Sequence, residues 1–166
     1  MTDNSVSRSA CRKFKFALAI GVSLALASVA QAETKPHKER CSGTIHVSEM
    51  ISPTVAKQEA TGEGNATHMG KYTETFAHKV DLAAGTIFDG VFVSTAADGS
   101  TAYGTYSGTF AINPNGTVSY EVTPIWLGGT GRFEGLFGIG SVTALATGVA
   151  PVSTFKFVTD AIWNLP

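Results

Sequence analysis

The chain has 166 residues, of which 43% are hydrophobic and 15% charged, with a formal net charge of −1; this fits one globular domain and excludes a chain too polar to build a core. From residue 33 onward it carries 8 Lys and Arg against 12 Asp and Glu, a net charge of −4, and no basic stripe, so nucleic acid and anionic membrane surfaces are disfavoured as partners. That part also holds only one cysteine, Cys41, which excludes a disulfide scaffold even in an oxidising compartment.

In chain order, residues 1–32 read as a secretory signal peptide. Arg8, Arg12, Lys13 and Lys15 form a basic start, and Phe16 to Ala30 is an uncharged run of 15 residues, shorter than the roughly 20 that span a membrane. Ala30-Gln31-Ala32 then places small residues where a signal peptidase reads them, and cleavage is expected before Glu33. A secreted or periplasmic protein follows, with no stable membrane insertion after cleavage. Residues 33–40, ETKPHKER, read as a polar leader, and 41–166 as a single domain.

Within that domain no helical periodicity of useful length appears. Apolar residues alternate at period two, punctuated by Gly, Asn, Asp and Pro, which is the signature of short strands. Strands are expected over Thr44–Ile51, in a short piece near Thr54–Glu63, and over Lys71–Leu82 and Thr86–Thr95. A further strand runs from about Thr101 to Ile112, followed by Thr117–Thr123, Leu136–Thr147 and Ser153–Trp163. Ala97-Asp98-Gly99-Ser100 and Asn113-Pro114-Asn115-Gly116 read as hairpin turns. Even spacing without helices leaves a sandwich or a meander barrel. Glycine favours the barrel: 17 of the 134 residues after position 32 are Gly, against a usual level near 7%, and many fall inside strands.

The densest glycine stretch is GGTGRFEGLFGIG, where Gly128, Gly129, Gly131, Gly135, Gly138 and Gly140 alternate with Phe133, Leu136, Phe137 and Ile139. These glycines read as structural, supplying bulges and corners of a coiled wall, with the larger residues as its buried face. Arg132 and Glu134 flank Phe133 as a solvated ion pair.

Signals for chemistry are sparse. Gly129-Thr130-Gly131 meets its next glycine only at Gly135, which misses dinucleotide spacing, and no helix follows it. No G-x-S-x-G elbow is present. His37, His46, His68 and His78 lack metal-ligand spacing and the lone thiol has no partner, so neither a metal nor a cofactor is expected. The segment KYTETFAHKV is more informative, because period two places Tyr72, Glu74, Phe76, His78 and Val80 on one face. If that face points inward, Glu74 and His78 enter a lumen where burial perturbs both groups. Glu74 and His78, with His68, are therefore the candidate catalytic residues, weighed against a barrel mouth that merely solvates them. Tyr72, Phe76, Tyr106, Phe110 and Tyr120 are the candidate ligand-binding residues.

Three blocks occur in order: THMGKYTETF (Thr67–Phe76), AADGSTAYGTYSGTF (Ala96–Phe110) and the GGTGRFEGLFGIG stretch. In this order, from Cys41 to the C-terminus, the chain resembles secreted bacterial proteins grouped with the allene oxide cyclase barrel, a calycin-like fold shared with plant dirigent proteins. The resemblance implies an all-β, eight-stranded antiparallel barrel whose lumen suits small apolar molecules, often as a homo-oligomer. It carries over no activity, since the pocket residues of those cyclases do not map one by one onto this chain. The expected function is a barrel that holds a small apolar ligand, or serves as a structural module, without turnover. The alternatives are a lumenal isomerase or cyclase using Glu74, His68 or His78, and a small outer-membrane barrel, which the Thr-, Ser- and Lys-rich outward faces oppose.

Overall fold

The computed structural model describes residues 33–148 and 151–165; the expected signal peptide and its cleavage site lie outside the described residues. Eight strands follow in chain order: β1 (Glu33–Met50), β2 (Val55–Ala66), β3 (Gly70–Asp81), β4 (Thr86–Ala96), β5 (Thr101–Ile112), β6 (Val118–Gly129), β7 (Phe137–Ala146) and β8 (Val152–Leu165), with a 3-10 turn at Gly131–Phe133. Each strand pairs antiparallel with the next, and β8 returns to β1 to close a barrel. Closure gives every strand a neighbour on both sides, except that the first residues of β1, before Glu39, pair with β8 alone. Both expected hairpin turns form: Gly99 and Gly116 take positive φ at 84° and 83°, and the Asp98 carboxylate accepts from the Ser100 N–H at 3.0 Å.

Residues 33–40 correct the expectation of a leader outside the barrel. They form the first part of β1, paired residue for residue with β8 from Glu33 opposite Leu165 to Arg40 opposite Val158. One side of their backbone is paired with β8, while on the other side Lys38 bonds to Thr67 and the Pro36 carbonyl to His68, and alternation sends Lys38 and Arg40 to solvent while His37 and Glu39 turn inward with Cys41 and Ile45. A segment of high charge is thereby accommodated with only two polar side chains inside.

The inner face of β2 is made of Ala56, Gln58, Ala60, Gly62, Gly64 and Ala66, and this smallness is what admits large rings from β3. A Cβ on Gly64 would come within 2.7 Å of the Tyr72 ring. One end of the barrel is filled by Trp126, Phe133, Leu136 and Trp163, all at most 2% exposed. The Trp163 indole meets the Trp126 and Phe133 rings edge-on at 5.6 and 5.7 Å. Burial of four such side chains stabilises this end by roughly 1.5–3 kcal/mol each. Toward the other end Ala56, Val80 and Ile87 pack with Phe110 and Tyr120.

The glycine-rich stretch differs from the coiled wall expected of it. It is the turn that carries Phe133 and Leu136 into the filled end. Only Gly131 and Gly135 of its six glycines take positive φ, at 61° and 77°. Gly138 is needed for space, since a Cβ there would meet the Trp163 ring at 2.8 Å. Because Gly138 and Gly140 take the inner positions on β7, Phe137 and Ile139 face outward and are half exposed, which overturns their assignment to a buried face. Arg132 pairs with Asp98, Nε to Oδ2 at 3.3 Å, and its Nη2 donates to the Met69 carbonyl at 3.0 Å; its partner is not Glu134. The outer wall is also more apolar than expected over β6–β8, where Ile125, Ile139 and Ile162 are neighbours in register. On β1 and β2 the outer positions remain polar, among them Lys38, Arg40, Glu63 and Asn65.

Candidate functional site

The lumen holds a cavity of about 90 Å³. That is smaller than the roughly 150 Å³ apolar cavity that holds benzene and well below the roughly 300–1,000 Å³ of drug-sized pockets, so side chains occupy most of the barrel interior. Phe76, Phe92, Tyr106, Tyr120, Trp126 and Phe155 are among the rings of its wall, and Glu39, Glu74, His78 and Thr159 are its other polar lining residues.

Glu74 sits on β3 opposite Gly62 of β2 and Ser94 of β4. Burial holds its pKa well above the usual carboxyl range, the negative charge of Glu39 adds to the rise, and the Ser94 hydroxyl and Cys41 thiol beside it pull the other way. A carboxyl in that setting keeps its proton where an exposed one has lost it. Burial, with Glu74 and Glu39 adding to it, also pushes the Cys41 thiol up to about 12 and raises the Tyr72 phenol, so both remain protonated at neutral pH. Glu39 Oε1, Glu74 Oε2, Tyr72 Oη and Thr159 Oγ1 are buried without a hydrogen-bond partner in the protein. Each orphan costs about 1–3 kcal/mol unless something in the lumen meets it.

His37 and Glu39 were not among the residues singled out from the sequence. Alternation run backward from Ile45 through Gly43 and Cys41 reaches both, and the missing step was to let the strand continue into a charged segment. The His37 ring stacks on Trp163 with centroids 3.6 Å apart. Its Nε2 lies 3.6 Å from Glu39 Oε2, within ion-pair reach but too long for a hydrogen bond. Thr159, Ser94 and Gln58 were missed as well, because hydroxyl and amide side chains in strands give no periodic signal of their own.

The structure brings Glu74 and His78 to one cavity but does not couple them. His78 Nε2 meets Gln58 Oε1 at 2.9 Å and its Nδ1 meets the Tyr106 hydroxyl at 2.7 Å. Gln58 Oε1 can only accept, so Nε2 carries the proton and Nδ1 accepts from Tyr106. Burial lowers the His78 pKa to about 4. With both ring nitrogens engaged, neither is free to serve Glu74 as a base. His68 does not line the cavity; it lies at the filled end, where its Nε2 donates to the Pro36 carbonyl at 3.0 Å. Of the five aromatic candidates, Phe76, Tyr106 and Tyr120 line the cavity. Tyr72 is buried over Gly64, and Phe110 packs toward the other end, 6.1 Å from the Tyr120 ring. Among the described residues no three His, Cys, Asp or Glu side chains gather into a metal-holding group.

Taken together, the site offers a largely aromatic and aliphatic wall and two buried carboxyls, that of Glu74 held toward its protonated form. It can hold a small molecule by its apolar body, with the raised-pKa carboxyl of Glu74 beside it as the group able to exchange a proton. No family model matches the sequence, and no curated protein does. Among solved structures it has some likeness to a Nitrosomonas europaea protein provisionally named AttH, at 10% identity and a TM-score of 0.19. The match covers 90% of this chain but 58% of that one, and a likeness so slight bears on neither fold nor chemistry.

Proposed function

We propose that this is an exported barrel that takes a small, mostly apolar molecule into its lumen and holds it without turnover. The observation that carries the reading is the cavity itself: its wall is dominated by aromatic and aliphatic side chains, with Glu39, Glu74, His78 and Thr159 among the lining residues. An apolar wall with a few convergent polar groups is the usual form of a small-molecule site. The three sequence blocks resembling the allene oxide cyclase barrel group agree with a lumenal ligand. Export rests on the basic start, the short apolar run and the Ala30-Gln31-Ala32 site of residues 1–32.

A second reading, a lumenal isomerase or cyclase, draws on the raised pKa of Glu74. A protonated carboxyl in a dry lumen can act as general acid on a confined substrate. Against an outer-membrane barrel stand Lys38, Arg40, Glu63 and Lys71 on the outer wall, since a lipid-facing girdle has to be apolar all round.

Xenon-pressurised crystals test the binding reading. Xenon density among Phe76, Phe92 and Phe155 is the expected result, because xenon enters dry apolar cavities. A lumen filled by ordered water or closed to xenon would overturn it.

A further inference from the structure

We infer, independently of what the lumen holds, that the outer wall from β4 to β8 near the filled end is covered by a second copy of the chain. Six large apolar side chains stand outward there, each between 43% and 53% exposed: Val93, Tyr103, Leu127, Phe137, Ile139 and Ile162. Val93 lies opposite Tyr103, and Ile139 lies between Ile125 and Ile162. The pairing of Trp126 with Gly138 sets Leu127 beside Phe137. The Tyr103 ring reaches over Gly128, where a Cβ would meet it at 2.8 Å. The six therefore form one band, which scattered single residues do not.

At about half exposure each, they leave on the order of 500 Å² of apolar surface in water. That is toward the upper end of what a monomer shows, about 300–600 Å². It also matches the apolar share, a little over half, of the roughly 800 Å² per partner that a stable interface buries. The pattern is strongest on β7, whose inner positions are Gly138 and Gly140, crowded by Trp163 and Ala161, and whose outer ones are Phe137 and Ile139. A wall with one face in water alternates the other way, apolar inside and polar outside. Interior packing makes no demand on the two outer positions, whereas a partner on the outer face does.

The surroundings of the band select an identical partner. Its next outward positions, Thr123, Ser141 and Asp160, are polar. At its border Lys38 pairs with Asp160 at 3.1 Å and Arg132 with Asp98 at 3.3 Å. An apolar centre with aromatic residues inside a polar rim is the anatomy of a protein–protein interface. Ions already paired within the chain offer little to an anionic headgroup or an acidic partner, and they let two copies of one face meet without opposing like charges. The two rows of the band lie about 7 Å apart along the strands, too low for the roughly 25 Å apolar girdle of a lipid-spanning barrel. A two-fold contact uses the same face on both copies. β6 and β7 form the middle of the band, so Leu127 and Ile139 fall nearest the axis.

The test is light scattering on size-exclusion peaks of the purified chain at about 50 µM, with thermal melts to confirm folding. The parent should run at twice the chain mass. Ile139→Lys brings two like charges toward the axis and should run as a folded monomer, and Leu127→Ser should weaken the dimer by about tenfold or more. Val158→Lys is the control and should leave the dimer intact, because Val158 is 49% exposed on the same wall but lies outside the band, opposite Thr143 and Arg40. If Ile139→Lys does not fold, Leu127→Ser decides. A monomeric parent, whether free or floating with phosphatidylcholine vesicles, would overturn the dimer. So would a dimer that survives both band substitutions, or one lost equally with Val158→Lys.

Discussion

The Tyr106 hydroxyl donates to Nδ1 of His78 across 2.7 Å, and with Gln58 on the other nitrogen it fixes the imidazole in its neutral form. Burial holds the folded pKa at about 4, against an ordinary value of 6.5. A depressed histidine pKa means that the unfolded chain binds the proton more readily. The contribution is therefore complete above about pH 6.5 and is lost as pH falls toward 4, by about 3 kcal/mol. Urea unfolding at pH 7, 5.5 and 4 should show this decline, and His78→Gln should flatten it. An unchanged pH dependence in the variant would mean that His78 titrates as an exposed histidine.

Glu74 works in the opposite direction. Its folded pKa is raised, so its contribution is full below the ordinary carboxyl pKa and is lost as pH rises through the folded value. Glu74→Gln removes that loss. The variant should be at least as stable as the parent at pH 8, by about 1 kcal/mol, with the difference vanishing near pH 4. Thermal melts at the two pH values decide it. A parent more stable than the variant at pH 8 would show that the ionised carboxylate is well compensated in the lumen.

Cys41 is 5% exposed with its pKa pushed up to about 12. A buried thiol in that state is a poor nucleophile. Alkylation by iodoacetamide at pH 8 should be slower by about 10²-fold or more in the folded chain than in the urea-unfolded chain. Equal rates would place the thiol at the surface.

Gly131 carries φ 61° and a Cβ there would come within 2.5 Å of Ser100 Oγ, while Gly135 carries φ 77°. Gly131→Val and Gly135→Val should each destabilise the fold by about 1–3 kcal/mol, read from denaturant midpoints.

The barrel was legible where inner residues are large and apolar. Val118, Tyr120 and Val122 on β6, and Tyr72, Phe76 and Val80 on β3, give a period of two and fix which face is buried. It was poorly legible on β2, whose inner face of Ala, Gly and Gln carries no hydrophobic alternation. Residues 33–40 were missed for a related reason, since Lys35, Lys38 and Arg40 mask a pattern that the partner strand β8 stabilises. Phe137 and Ile139 were assigned inward because apolar residues usually are; the indole of Trp163, 25 residues further along the chain, takes the space and leaves Gly138 as the only fit. Half of the site was lost with β1, because Glu39 becomes visible only once its strand is placed.

Native mass spectrometry of the chain purified from its own host tests most directly whether the lumen holds a ligand. The expected spectrum shows the folded chain carrying one small organic molecule, released on unfolding in acid. Bare polypeptide at every collision energy, from material that never met denaturant, would contradict a ligand-holding barrel.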